Sequence, residues 1–224
     1  DIAKTILEEK GITANINVIP HGCVQFENTS RLWNIYRTKN TLIQFGFGFE
    51  YKGWDVALEA VALLKEKYPD IFYLMLFSES NFVRDYHDAQ YEKLNNLIAA
   101  KGLEENVSLI RGFQSDESIC NFLRTIRVAI FPYTAHPEHV VYGSSGAARI
   151  AIANNTPVVV SKVPLFYDLE GVVPRAENAE ELAFEIDKLF SDWKHYKNVV
   201  ESEKKFVTDF SWERVAHVYL NLIS

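Results

Sequence analysis

The amino-acid sequence predicts an α/β protein built on a doubly wound parallel sheet of about six strands with helices on both faces. Three observations carry that expectation. Short apolar runs alternate with stretches that repeat apolar residues every three or four positions, and strand–helix–strand units of this kind assemble parallel sheets. The run from Ile71 to Phe77 is apolar throughout, as befits a strand covered on both faces. The chain has 224 residues, 48% of them hydrophobic and 24% charged, enough to bury one sizeable core. A single domain over residues 1–224 is expected.

The elements follow in chain order. Asp1 opens the sequence inside a helical pattern, and residues 1–15 read as the end of an interdomain linker or helix, part of something longer. Ile16 to Ile19 reads as a short strand stopped by Pro20-His21-Gly22, and Thr41 to Phe47 as a second, closed by Gly46 and Gly48. From Trp54 to Lys67, Val56, Ala57, Ala60, Val61 and Leu64 fall at helical spacing. The strand from Ile71 to Phe77 comes next, then a helix from Tyr91 to Lys101 ending at Gly102. Val107 to Ile110 and Arg127 to Phe131 read as strands around a helix from Asp116 to Thr125. A helix from Ser145 to Asn154 leads to a strand from Pro157 to Ser161. Asn178 to Glu181 fits a capping box that starts a helix running to about Phe190. Residues 192–224 hold two more helices, around Trp193 to Phe206 and Ser211 to Ile223; no strand follows them, so they should pack across the sheet or against a partner.

Composition removes several classes. A net charge of −7 and a pI near 5.4 argue against a nucleic-acid binder, which needs a basic face, and leave open only a local basic pocket. Cys23 and Cys120 lie far apart without a metal-ligand spacing, so neither a disulfide framework nor a zinc site is expected, and a cytoplasmic setting suits them. The apolar runs are all far shorter than the ~20 residues that span a bilayer. His136-Pro-Glu138-His139 has the side chains of a metal site, but its spacing suits neither a helix nor a strand face. No metal is expected.

Ligands of open parallel sheets bind beyond the carboxyl ends of the strands, and the loops there hold the candidates. His21-Gly22 follows the first run, and Gly46-Phe-Gly-Phe-Glu-Tyr-Lys52-Gly53 follows the second. That stretch is neither a dinucleotide fingerprint nor a P-loop, because its glycines and lysine are misplaced for both. By pattern alone it is a phosphate loop or an ordinary strand–helix turn. Arg111-Gly112-Phe113 and Tyr133 lie past later strands. Ser144-Ser145-Gly146 opens a helix, where unpaired N–H groups and the positive dipole end favour an anion. The same serines also suit a plain N-cap, and the residues leave both readings open.

Taken in order, VIPHG, FGFGFEYKGW, RGF with SICNFL and VAIFPY, SSGAARIAIANNTPVVVS and FSWERVAHVYL resemble the C-terminal, donor-binding half of a family-4 (group 1) retaining glycosyltransferase of the two-domain GT-B fold. The resemblance spans nearly the whole chain. It implies a Rossmann-like domain that binds a nucleoside diphosphate sugar, with no other cofactor, and transfers its hexosyl group to an acceptor glycan or lipid-linked sugar. Catalysis would need the missing N-terminal domain, so this half alone is expected to be inactive. The whole protein would be cytoplasmic or membrane-peripheral.

Residue by residue, Lys52 matches the lysine that binds the donor diphosphate and is the candidate catalytic residue. Ser144, Ser145 and Gly146 fall at the phosphate- and sugar-binding helix start. Arg111, Gly112 and Phe113 fall near the nucleobase. Gly46 matches a phosphate-loop glycine, but Phe47 stands where an arginine usually follows. Counting back from Pro157, the family's ribose-binding glutamate falls on Ile150. Glu138 sits eight positions before Gly146 and does not restore the glutamate pair. Pro132-Tyr133 with Ser145-Gly146 is similar to a variant of that motif, which keeps Tyr133 as a candidate; His21 and Glu138 are kept as further site candidates beside it. A non-catalytic sugar-nucleotide or interaction module is the rival reading. A nucleotide-sugar epimerase lacks its carboxylate and histidine set here, and a dehydrogenase lacks its glycine fingerprint.

Overall fold

The computed structural model describes residues 2–27, 29–31, 38–80, 82–135 and 143–223. A six-stranded sheet, parallel at every pairing, has the order β3-β2-β1-β4-β5-β6. Its strands are β1 Thr41–Phe47, β2 Phe72–Ser78, β3 Val107–Arg111, β4 Val128–Phe131, β5 Val158–Ser161 and β6 Arg175–Ala176. The helices are α1 Ile2–Glu9, α2 Trp54–Lys65, α3 Arg84–Ala100, α4 Asp116–Thr125, α5 Gly146–Ala153, α6 Ala179–Ser191, α7 Trp193–Asp209 and α8 Trp212–Ile223. Chain order reverses between β1 and β4, and at such a switch point neighbouring loops diverge to opposite faces and leave a crevice.

Alternation along the strands builds two cores. Leu42, Tyr73, Met75, Val128 and Ile130 face α2, α3 and α6, whereas Ile43, Phe45, Leu74, Leu76, Ala129 and Phe131 face α4 and α5. Successive side chains point to opposite sides of a strand, so covering both sides demands the near-continuous apolar runs seen in the sequence. Glu203 of α7 is fully buried, and its Oε1 accepts the Val158 N–H at 2.8 Å, tying α7 to the start of β5. Burial pushes that carboxyl well above its ordinary range.

The sheet has the expected number of strands but not the expected members. Residues 16–19 are irregular and none of them is buried: a short, mainly apolar run makes a strand only when a neighbour offers a hydrogen-bonding edge. The chain instead makes one isolated bridge further on, between Cys23 and Ser211. The sixth place belongs to β6, where Arg175 and Ala176 pair with Val160 and Ser161. Two residues with a leading arginine show no period to read. Helix α3 starts at Arg84 rather than Tyr91, because its first turns bury only His87. Asn178 caps α6 by accepting the Glu181 N–H at 2.9 Å, but Glu181 reaches back to the N–H of Glu177, one residue beyond the box partner. The thiols of Cys23 and Cys120 are unbridged. Among the described residues, no helix is long and apolar enough to cross a membrane. Of the two C-terminal helices, α7 packs on α5 and α6, whereas α8 buries only Val215 and leaves Trp212, Tyr219, Leu220 and Ile223 in solvent.

Candidate functional site

The site forms where the loops after β1 and β4 meet the start of α5. After β1 the chain makes one turn of 3-10 helix, Glu50–Lys52, and enters α2 through Gly53. Gly53 lies in the left-handed region at φ 67°, a conformation that costs a side-chain-bearing residue about 1–2 kcal/mol. A Cβ there would also stand 1.8 Å from the carbonyl oxygen of Pro132. Glycine at 53 therefore lets the β1 loop close on the β4 loop, and the Thr134 N–H donates to the Tyr51 carbonyl at 2.8 Å to join them.

The same turn is anchored from below. Gln44, in the middle of β1, is fully buried and donates through Nε2 to the Lys52 carbonyl at 2.8 Å. Its Oε1 accepts the hydroxyl of Tyr73, also fully buried, at 2.6 Å. Buried amides and hydroxyls are costly without partners, so this relay is satisfied in one loop geometry and holds Lys52 in place.

Lys52 extends over the Tyr133 ring at 4.0 Å from the centroid and donates to its hydroxyl at 2.7 Å. Burial, with no carboxylate partner among the described residues, lowers the Lys52 pKa from its ordinary 10.5 to about 8. Burial also raises that of the Tyr133 phenol, which stays neutral. The Tyr133 oxygen lies 3.3 Å from Ser145 Oγ, which accepts the Ala148 N–H at 3.3 Å as the N-cap of α5. Gly146 and Ala147 open that helix, and their N–H groups have no acceptor among the described residues. Nothing lies within 4 Å of where a Cβ on Gly146 would be. An ammonium, a phenol and a first turn with two unpaired amides thus lie together, with open space at Gly146.

The sequence candidates divide accordingly. Lys52, Tyr133, Ser145 and Gly146 come together. Gly46, at φ 143°, packs its Cα side towards Lys52 Cε, while Phe47 is 45% exposed and lies against Phe49. Ser144 and His21 line a separate cavity of ≈ 780 Å³. Arg111 ends β3 on the far side of β2, where Glu79 and Asp88 neutralise it. Gly112 donates to the Phe77 carbonyl at 2.9 Å, and Phe113 is 76% exposed. These three share the carboxyl edge with Lys52 without touching it. Ile150 is half-buried against the α5 core. Glu138, His136 and His139 lie outside the described residues. Sequence reasoning missed Gln44 and Tyr73; a lone glutamine inside TLIQFGF was the visible signal.

Replacing Ser145 with alanine removes the α5 cap and one partner of Tyr133. It should cost about 1 kcal/mol and lower the melting temperature by roughly 2–4 °C, readable by thermal unfolding.

The sequence profile of the glycosyl transferases group 1 matches residues 25–206. An uncharacterized glycosyltransferase of Methanocaldococcus jannaschii is 25% identical over 154 residues, which is 66% of this chain and 36% of that protein. The structure of a Staphylococcus aureus TarM variant with fondaparinux, α-GlcNAc-glycerol and UDP superposes with a TM-score of 0.77 at 16% identity, over 99% of this chain and 42% of TarM. The C-terminal domain of the group 1 protein LpcC from Francisella tularensis gives 0.63 at 18% identity, over 86% of this chain and 97% of that domain. At these identities the structural likeness is one of fold. The chain spans about a third of the curated relative and less than half of TarM. Its Rossmann-like sheet is the one these GT-B enzymes share, and with most of its length matched by the family profile the chain belongs to the glycosyl transferases group 1.

Proposed function

We propose that this chain binds the donor of a retaining hexosyltransferase, a nucleoside diphosphate sugar, with its diphosphate between Lys52 and the first turn of α5. The observation that carries the reading is the Lys52–Tyr133–Ser145 cluster beside unpaired helix amides at the switch point. When the anomeric carbon–oxygen bond breaks, negative charge grows on the departing diphosphate. A fixed ammonium and helix amides stabilise that charge without reorganising, so no metal is needed on this reading. TarM contains UDP in its structure, which supports a nucleotide ligand here. Arg111, Gly112 and Phe113 would border the base. An acceptor glycan or lipid-linked sugar would bind on a further domain, so this chain alone would hold the donor and turn nothing over. Its setting would be the cytoplasm or the cytoplasmic face of a membrane.

Titration with UDP, GDP and ADP and their sugars by calorimetry tests the reading, and pH sharpens it. The free lysine carries its proton below about 8, whereas the ligand's phosphates are ionised throughout pH 7.5–9. Affinity should therefore fall as pH rises, by about tenfold at pH 9. No binding by any of them at millimolar concentration overturns the donor site, and pH-independent binding removes Lys52 from it.

A second reading, a module that binds nucleotide sugars without catalysis, is favoured by Ile150 and Phe47, apolar side chains at positions where the family resemblance calls for a ribose carboxylate and a cationic phosphate ligand. Donor turnover by the complete protein would exclude it.

A further inference from the structure

Helix α3 carries a histidine where its packing calls for a hydrocarbon. His87, Tyr91, Leu94 and Ile98 recur at the three- and four-residue spacing of one helix face. That face turns to the sheet: His87, Leu94 and Ile98 are buried, and Tyr91 packs on the same core. His87 is fully buried, with its ring edge-on to Phe77 and Tyr86 and tilted against Phe49. Its Nε2 meets no partner among the described residues. A buried imidazole with one nitrogen unpaired weakens a fold relative to a phenyl ring of similar size, so core packing alone does not account for a histidine here.

The other ring nitrogen supplies the reason. Nδ1 lies 3.3 Å from the Gly48 carbonyl oxygen; a carbonyl only accepts, so the ring carries its proton on Nδ1 and donates it there. The neighbouring Tyr86 hydroxyl accepts the Glu50 N–H at 2.9 Å. Lys93, further along α3, pairs with the Glu50 carboxylate at 2.7 Å, an exposed contact that adds little. Helix α3 thus holds the entry to the 3-10 turn Glu50–Lys52, as the Gln44 amide holds its exit at the Lys52 carbonyl. Gly48 is itself pinned: its N–H donates to the Ser78 carbonyl at 2.9 Å, and a Cβ on it would stand 1.9 Å from Phe77 Cζ. Between the two grips a row of rings runs from α3 to the lysine. Phe49 packs on His87 at 5.2 Å between centroids and stacks on Tyr51 at 5.8 Å. Tyr51 meets Tyr133 edge to face, and Lys52 Nζ lies 5.0 Å from the Tyr51 centroid.

We propose that His87 and Tyr86 are positioning residues for Lys52: from α3 they fix the turn and the row of rings that direct its ammonium at the donor diphosphate. The inference rests on the donor-site reading for what the ammonium meets, and on contacts within the chain for how the ammonium is held. Neither side chain touches the ligand; each acts through the backbone at Gly48 or Glu50, and a support of this kind keeps a binding group within the narrow range of useful geometry.

The test compares the 224-residue chain with His87→Phe, which keeps a ring and deletes the donor, and with Tyr86→Phe, which deletes one hydroxyl from an exposed ring. Two quantities are read: the titration of Lys52 in the ligand-free protein, by NMR of labelled lysine, and calorimetric affinity at pH 7.5 for whichever of UDP, GDP and ADP binds tightest. Lys52 should titrate near 8 in the wild type and climb toward its ordinary 10.5 in His87→Phe, because a loosened turn lets water reach the ammonium. Nucleotide affinity should fall about 3- to 10-fold in the same protein. Tyr86→Phe should move both readings in the same directions by less, and it decides the matter should His87→Phe fail to fold. A role confined to core packing would lower the melting temperature and leave the Lys52 titration where it was. With nucleotide bound by the wild type, variants that leave either reading unmoved would overturn the positioning role and spare the donor site. A Lys52 titration that climbs in the variants, with no nucleotide bound by any of the proteins, would keep the grip of α3 and sink the donor reading.

Discussion

Lys52→Met should weaken binding of the preferred nucleoside diphosphate by about 10- to 100-fold, the range set by losing a charge-assisted hydrogen bond of about 1.5–3 kcal/mol. Methionine keeps an apolar stem against the Tyr133 ring and deletes the ammonium. Calorimetric titration of both proteins at pH 7.5 reads the difference. Stability should move the other way. Burial disfavours the charged lysine and lowers its pKa to about 8, so below pH 8 the folded wild type carries the full penalty of that charge. The unfolded lysine binds a proton up to its ordinary 10.5, so the penalty is relieved as pH climbs through 8 to 10.5. The variant should therefore melt no lower than the wild type at pH 7, and its advantage should vanish near pH 10.5. Equal nucleotide affinity in the two proteins would show that the phosphate lies elsewhere.

Gly53→Ala should be strongly destabilising. The residue sits at φ 67°, and its new Cβ would meet the Pro132 carbonyl oxygen at 1.8 Å. Left-handed strain of about 1–2 kcal/mol adds to about 1–3 kcal/mol for forcing the two loops apart. Together they lower the melting temperature by roughly 5–15 °C. Because Lys52 rides on one loop and Tyr133 on the other, nucleotide affinity should fall too, and with it the pH dependence that reports the buried lysine. A melting temperature within about 1 °C of wild type would mean that the loops are not locked together as described.

Much of the fold was legible because both faces of the sheet are covered. Thr41–Phe47, Phe72–Ser78 and Val128–Phe131 are apolar runs for that reason, and Asp116–Thr125 carries its own Ser115 cap, whose Oγ accepts the Ser118 N–H at 3.2 Å. Residues 16–19 misled because an apolar run looks the same whether or not a partner edge exists, and β6 was hidden because its pairing with β5 comes from position and not from its two side chains. At the site, Lys52 and Ser145 stood out as polar groups at element ends. The Tyr73–Gln44 relay beneath Lys52 joins residues on neighbouring strands, and no local pattern announces it.

What the sequence by itself determined was the succession of strands and helices, the carboxyl-edge loops that carry the candidates, and the family, since these depend on local periodicity, caps and the order of motifs. Only the tertiary structure decided which candidates lie together. Lys52, Tyr133 and Ser145 meet because β4 lies beside β1 at the switch point, while Arg111 is carried two strands away and spent on Glu79 and Asp88. Trp212 reaches Gly22 and His21 only because the beginning and end of the domain cross at one bridge. Such meetings follow from strand order and packing over long sequence separations, which no window along the chain contains.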